Sequence, residues 1–142
     1  MKIIIKNFQK KIPIYPTRIK RTALKTLSSE GIKKTVEITI CFVGSRRIRE
    51  LNRKYHKRDI NTDVLAFDLS RKDKKGHLAA DIVISTDEAA KNAGIFKTST
   101  AYELNLYVIH GILHLLGYDD LSKQKLAVMR KRQESIIKKI GL

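Results

Sequence analysis

One stretch of the sequence decides which fold and chemistry to expect: His110-Gly111-Ile112-Leu113-His114-Leu115-Leu116-Gly117-Tyr118-Asp119-Asp120. On a helix, residues four apart share a face, so His110 and His114 can direct their imidazoles at one point about 6 Å along the axis. Gly117 permits the left-handed backbone that ends a helix, and the returning chain can bring Asp120 toward the same point. Two neutral imidazoles and one carboxylate with an open fourth position are typical of a catalytic zinc site.

The spacing matches the extended zincin pattern, in which His-Glu-x-x-His is followed by a glycine and a third histidine, with two changes. Gly111 stands where those peptidases carry the glutamate that acts as general base, and Asp120 stands in place of the last histidine. Since glycine cannot accept a proton, the pattern disfavours proteolysis of the usual zincin type. The alternative is a purely structural pair of histidines, because the same helix carries apolar residues at interior spacing: Leu106, Ile109, Leu113 and Leu116.

The composition predicts a polyanionic partner. The chain of 142 residues carries 30 Lys and Arg against 14 Asp and Glu, a net charge of +16. Such an excess concentrates polyanions near the surface, so nucleic acid is the expected partner and an anionic membrane surface the weaker alternative. The charged surface of a thermophile explains the excess less well, because there Glu rises together with Lys.

The expected compartment follows from cysteine usage and hydropathy. Cys41 is the single cysteine, so an intrachain disulfide is excluded and a reducing compartment is indicated. The apolar run in residues 3–5 is too short for a signal peptide, and no later run reaches the length of a membrane span. We therefore expect a soluble, cytoplasmic protein without a membrane partner.

Periodicity predicts one α+β domain over residues 1–142, with a small mixed sheet of about four strands packed with about five helices. Strands are predicted at 2–6, 36–43, 62–68 and 78–85, and the lysine-rich segment 70–76 is predicted to be an exposed hairpin loop. Helices are predicted at 19–27, after an N-cap at Ser45, from Thr86, after a capping box at 100–103, and after an N-cap at Ser122. The fourth of these is the zincin-like helix that carries the two histidines.

Three further segments complete a recognisable set with the histidine helix: Leu51-Asn52-Arg53-Lys54-Tyr55, Asn61-Thr62-Asp63-Val64-Leu65-Ala66-Phe67 and Ala80-Asp81-Ile82-Val83-Ile84. With these motifs in this order, residues 38–134 resemble the YbeY family of bacterial metallo-endoribonucleases. The resemblance implies a basic cleft that holds a metal, in a cytoplasmic, zinc-dependent endoribonuclease specific for single-stranded RNA. It also implies a role in maturing the 3′ end of 16S ribosomal RNA and in ribosome quality control. The small ribosomal subunit, ribosomal proteins or a GTPase are then candidate partners.

Two positions depart from the family pattern. The usual third metal ligand of the family, a histidine, falls on Asp120, which can also ligate zinc but should leave a bound water less acidic. An arginine that the family carries just after the tyrosine falls on His56, and Lys57 and Arg58 follow at once. A cation can therefore still reach a phosphate from this segment.

The expected mechanism is metal-assisted phosphodiester cleavage, with one zinc or other divalent ion on His110, His114 and Asp120. Arg58 is the expected catalytic cation, because a guanidinium can bind two phosphate oxygens; the alternative is a solvated loop arginine. Asp119 is assigned either to orienting a ligand histidine or to forming the turn after Gly117. Basic residues are expected to bind single-stranded RNA, with Tyr55 and Tyr118 as aromatic support: Arg46, Arg47, Arg53, Lys54, Lys57, Lys131, Arg132, Lys138 and Lys139.

Three functions remain open at this point. A metallo-endoribonuclease is favoured by the ligand spacing, the net charge and the resemblance. A small metallopeptidase is disfavoured by Gly111. A ribosome-associated RNA-binding protein with a structural metal predicts salt-dependent RNA binding that survives His114→Ala and no metal-dependent cleavage.

Overall fold

A computed structural model describes residues 1–73 and 75–142, and within them the chain forms four strands and five helices in the order β1, α1, β2, α2, β3, β4, α3, α4, α5. The strands are β1 (Lys2–Asn7), β2 (Thr35–Val43), β3 (Val64–Asp68) and β4 (His77–Ser85). The helices are α1 (Pro16–Ser29), α2 (Ser45–His56), α3 (Thr86–Phe96), α4 (Thr100–Leu115) and α5 (Lys123–Ile140). The predicted α+β fold is thus confirmed. In the predicted 70–76 loop, Lys74 lies outside the described residues.

The strands form one mixed sheet in the order β1-β2-β4-β3. β1 pairs with β2, and β2 with β4, in parallel, whereas β3 runs antiparallel to β4 and leaves an open edge. Alternation along β2 and β4 divides their side chains between the two faces of the sheet, as the period of two predicts. On one face the alternate residues are all buried and apolar: Val36, Ile38, Ile40, Phe42, Leu78, Ala80, Ile82 and Ile84.

Helices cover both faces of the sheet. α1 and α4 pack on the face that carries the main core, and α2 packs on the opposite face against a smaller cluster around Val43, Ile48 and Val83. α5 lies outside α4, where Met129, Ile136 and Ile137 are buried as their spacing predicts. No helix in the described part of the chain is both long and apolar enough to cross a membrane.

The start of α2 differs from the prediction. Ser45 is the first helical residue rather than the N-cap, which is Gly44. The backbone N–H of Ser45 donates instead to the Asp87 carboxylate at 2.7 Å, from the first turn of α3. A Cβ at residue 44 would lie 3.3 Å from this carboxylate, so glycine there lets Asp87 approach and cap a helix that has no cap of its own.

The start of α4 also differs, by one residue. The cap is Ser99, whose hydroxyl accepts from the backbone N–H of Tyr102 at 3.0 Å, so the predicted capping box at 100–103 is wrong. Glu103 is buried and accepts from the Thr98 hydroxyl at 3.0 Å. The prediction at Ser122 is confirmed, since its hydroxyl accepts from the backbone N–H of Lys125.

We predict that Asp87→Ala lowers the free energy of unfolding by about 1 kcal/mol at neutral pH, because it removes the cap of α2. The Ser45 N–H holds the pKa of the Asp87 carboxyl below its usual 3.8. The stabilisation is therefore complete above pH 3.8 and is lost as the pH falls through the lowered pKa. Urea unfolding of both proteins at several pH values measures the stability difference. Glu134→Ala, which removes an exposed carboxylate, controls for the loss of negative charge. A variant effect that stays constant down to pH 2 would contradict the assignment.

Candidate active site

A cleft of about 530 Å³ opens between α4, the edge strand β3 and the loop that follows α2. Its wall contains all four site residues that the sequence predicts: Arg58, His110, His114 and Asp120. Further polar side chains also line it: Asn52, His56, Thr62, Asp63 and Asp68. The cleft therefore collects imidazoles, carboxylates and a guanidinium in one place.

The two histidines lie side by side on α4, one turn apart. Their ring centroids are 4.9 Å apart and the rings are inclined at 72°. Both rings are half-buried and line the cleft rather than the core. The alternative of two core histidines is therefore not what the fold shows.

The orientation of His110 is fixed by Gln133, a residue whose role the sequence interpretation missed. The side-chain amide of Gln133, buried in α5, lies against His110 Nδ1, with its Nε2 at 3.0 Å and its Oε1 at 3.4 Å. The nearer amide atom is the nitrogen, and turning the amide over would bring its oxygen to Nδ1. An imidazole that donates Nδ1–H to this oxygen presents the Nε2 lone pair to a metal. The sequence signal that could have revealed Gln133 was its helical spacing, because it lies four residues from both Met129 and Ile137 on the buried face of α5.

Burial lowers the pKa of the His110 imidazole, and this effect outweighs the Gln133 contact and the Asp63 charge, which both raise it. The neutral ring is therefore favoured at neutral pH. Neutral imidazole is the form that binds metals.

The carboxylates do not complete a ligand set as the side chains stand. Among residues 1–73 and 75–142, no three His, Cys, Asp or Glu side chains are grouped closely enough to hold a metal ion. Asp120 is exposed on the wall of the same cleft, and its charge acts on His110 less strongly than that of Asp63. Asp63 also accepts from the backbone N–H of Val64 at 2.8 Å. The strand β3 begins at Val64, not at the predicted residue 62.

Arg58 reaches the cleft from the loop after α2. The helix ends at His56 and is capped by Lys57, whose left-handed backbone (φ 55°) turns the chain. Arg58 follows as an exposed residue on the cleft wall. Its guanidinium has no hydrogen bond or ion pair with the residues that the structure describes. By contrast the neighbouring Arg49 and Asp59 are paired at 2.9 Å.

Some residues proposed for RNA binding have structural roles instead. Arg132 donates to the Glu30 carboxylate at 2.6 Å and to the Ser29 carbonyl at 2.7 Å, and Tyr118 donates to the same carboxylate at 3.1 Å. Asp119 accepts from the backbone N–H of Leu121 at 3.0 Å, which supports its turn role. Arg132 is therefore not counted among the basic residues that are available to bind RNA.

Comparison with known proteins identifies the family of the chain. The family model described as Endoribonuclease YbeY matches residues 4–141, a longer stretch than the motifs alone indicate. The chain belongs to the YbeY family.

Two curated relatives match over nearly their whole length. The Endoribonuclease YbeY of Carboxydothermus hydrogenoformans is 35% identical over 141 residues, which cover 97% of this chain and 96% of that protein. The Endoribonuclease YbeY of Alkaliphilus metalliredigens is 33% identical, with 99% and 96% covered. The solution structure of TM1509 from Thermotoga maritima matches with a TM-score of 0.64 and 26% identity, covering 97% of this chain and 88% of that one.

Gly111 accounts for the difference between this YbeY-family site and a zincin peptidase. The residue is buried, and a Cβ there would lie 3.0 Å and 3.2 Å from carbon atoms of Ile82 in β4. The position faces the sheet, so a glutamate could not be accommodated without moving α4. Position 111 therefore supplies close helix–sheet packing and no general base.

We predict that Gly111→Ala lowers the free energy of unfolding by about 1 kcal/mol, because crowding of the fully buried Ile82 exceeds the gain in helix propensity. The matched control is Gly94→Ala in α3, where a Cβ meets nothing within 4 Å. That substitution should raise the unfolding free energy by about 0.5–1 kcal/mol. Chemical denaturation of both variants measures the contrast. Equal stabilisation by the two alanines would show that α4 is not closely packed at residue 111.

Proposed function

We propose that this YbeY-family chain is a zinc-dependent endoribonuclease that cleaves single-stranded RNA in its histidine cleft. The observation that carries the proposal is that His110, His114 and Arg58 line one cleft of a chain with a net charge of +16. The related proteins are named endoribonucleases, and Gly111 leaves no room for a peptidase base.

The residues present fit zinc by their chemistry. His110 and His114 would hold the ion together with the Asp120 carboxylate, and the burial of His110 favours the neutral ring that a metal requires. When bound, zinc supplies Lewis-acid polarisation of a phosphoryl oxygen and lowers the pKa of a water. The resemblance implies a histidine at the position of Asp120, so the aspartate would place more negative charge beside the ion than the family pattern does.

The chain's own residues position the substrate and the ligands. Arg58, unpaired among the described residues, can bind two phosphate oxygens and stabilise charge that develops at phosphorus. Gln133 keeps the His110 ring from rotating, so that Nε2 remains directed away from the amide contact.

The proposed biological context is cytoplasmic maturation of the 3′ end of 16S ribosomal RNA and ribosome quality control, on or near the small ribosomal subunit. It is supported by the family resemblance and by the basic surface, which suits a densely phosphorylated partner. Ribosomal proteins or a GTPase would supply specificity that the cleft itself does not encode.

The test is cleavage of an end-labelled single-stranded RNA by purified protein, with and without chelator, alongside casein as a peptidase substrate. We expect zinc-restored RNA cleavage and no casein cleavage. His114→Ala should lose at least about 100-fold in turnover, and Arg58→Ala about 10- to 1,000-fold with RNA binding little changed. The half-buried His77, outside the cleft, provides the control variant His77→Ala.

Several outcomes would contradict parts of this proposal. Unchanged turnover in Arg58→Ala would remove that residue from the mechanism. RNA binding that is salt-dependent, survives His114→Ala and is never followed by cleavage would establish the alternative, an RNA-binding protein with a structural metal.

A second prediction concerns zinc affinity. Gln133→Leu keeps the size of the side chain but removes the contact with His110 Nδ1, so we expect zinc affinity to fall about 10- to 100-fold. Competition with a chromophoric chelator measures the affinity without any activity assay. Gln124→Leu, at an exposed position of the same helix, is the matched control. If both variants bind zinc equally well, Gln133 has only a packing role.

A further inference from the structure

The open edge of β3 has a definite hydrogen-bonding pattern. Ser85 donates its backbone N–H to the Asp63 carbonyl at 2.9 Å, and Leu69 donates to the Ala79 carbonyl at 2.8 Å. In an antiparallel pair, hydrogen-bonded positions alternate along the strand, so the odd-numbered residues of β3 bond to β4. Even-numbered residues, Ala66 among them, direct their backbone N–H and C=O groups outward.

Ala66 is the residue at which this outward pair is free. Its N–H and C=O groups have no partner elsewhere among the described residues, and the residue lines the cleft. At Val64 the N–H is already bonded to the Asp63 carboxylate. The backbone groups of Asp68 also face outward, but at the end of the strand, where the Asp68 carboxylate accepts from the Ser70 N–H at 2.9 Å. Ala66 therefore presents an adjacent backbone donor and acceptor to the cleft, in the middle of the edge strand.

An aromatic stack lies next to this position. The His56 ring is stacked on Phe67, with centroids 5.6 Å apart and planes 19° from parallel, and Tyr55 meets Phe67 edge-on at 5.5 Å. Phe67 follows Ala66 in β3, and His56 is exposed on the cleft wall. By alternation the Phe67 side chain lies on the α2 face of the sheet, so the stack reaches the cleft around the edge strand, where His56 is exposed.

We propose that the Ala66 backbone edge and the His56 ring on Phe67 form a nucleobase subsite, which holds one unpaired base of the RNA beside the two histidines. The inference rests on the proposed function and adds a substrate requirement to it. Each of the four bases carries an adjacent donor and acceptor on its Watson–Crick edge, which can match an N–H and a C=O group. In a duplex that edge is occupied, so the subsite accepts any base but requires that it be unpaired.

The chemistry of the cleft favours RNA over a peptide strand as the occupant. Strand addition by a peptide requires several successive backbone pairs, whereas the outward edge of β3 is short: the Val64 N–H is taken by the Asp63 carboxylate, and the strand ends at Asp68. The exposed imidazole, the unpaired Arg58 and the net charge of +16 instead match a base attached to a phosphodiester.

The test measures binding by fluorescence anisotropy, using a short labelled single-stranded RNA and a set of copies that each carry one abasic position. All proteins carry His114→Ala so that the RNA stays intact. With otherwise unchanged protein, one abasic position should weaken binding about 5- to 100-fold. His56→Ala should weaken binding of intact RNA by a similar factor and lose its response to that abasic position. His56→Phe should restore both, because it keeps an aromatic ring on Phe67.

Backbone recognition is tested by Ala66→Pro, which removes the outward N–H while leaving the hydrogen bonds between β3 and β4 in place. We expect about fivefold weaker binding than with Ala66→Ser, which keeps the N–H. Circular dichroism tests whether the proline variant folds. If it does not fold, the His56 variants still test the proposal. Tyr15→Ala, an exposed aromatic residue outside the cleft, should bind RNA as before.

The proposal is overturned if His56→Ala responds to the abasic position as the parent does, or if a duplex of the same sequence binds equally well. Unfolded casein that displaces RNA from the parent, but not from Ala66→Pro, would assign the edge to peptides instead. If one of these results is obtained and the chain with His114 intact still cleaves RNA in a metal-dependent way, the nucleobase subsite is rejected and the proposed nuclease function is retained. If the abasic position weakens binding but the chain with His114 intact never cleaves RNA, the nuclease function is rejected and the nucleobase subsite is retained.

Discussion

The close approach of α4 to the sheet at Gly111 is the constraint on which the cleft depends. With no side chain at residue 111, the helix rests directly on Ile82. Ile82 is paired in register with Ala66, so the same contact fixes how far the two histidines lie from the open edge of β3. A bulkier residue would lift the helix, and the histidines, Arg58 and the strand edge would no longer line a common cleft.

Around this contact the site is assembled from distant parts of the chain. The loop after α2 provides a cation, the start of β3 provides a carboxylate, and α5 provides the amide that holds His110. Asp120 contributes a carboxylate to the lining of the cleft, and His56 contributes a ring that stacks on Phe67. The cleft therefore combines imidazoles and carboxylates with aromatic surface.

The sequence was sufficient for features that depend on local pattern. Period-two alternation located β2 and β4, helical spacing located α4 and α5, and the four-residue spacing of His110 and His114 brought both rings to one cleft. Features that depend on distant partners were missed or misplaced. The cap of α2 comes from Asp87, forty-two residues away, and the partner of His110 is twenty-three residues away. Neither the strand order nor the open edge of β3 follows from periodicity, because alternation does not specify which strands are neighbours.

The contact between Gln133 and His110 has a consequence for synthesis of the protein. Both histidines, the sheet and Arg58 precede α5 in the chain, so a nascent polypeptide can assemble most of the cleft before residue 133 has left the ribosome. Until then the His110 ring lacks the amide that fixes its orientation. Ordering of the histidine pair thus has to wait until α5 docks on α4, so the sheet can fold before the centre of the cleft becomes rigid.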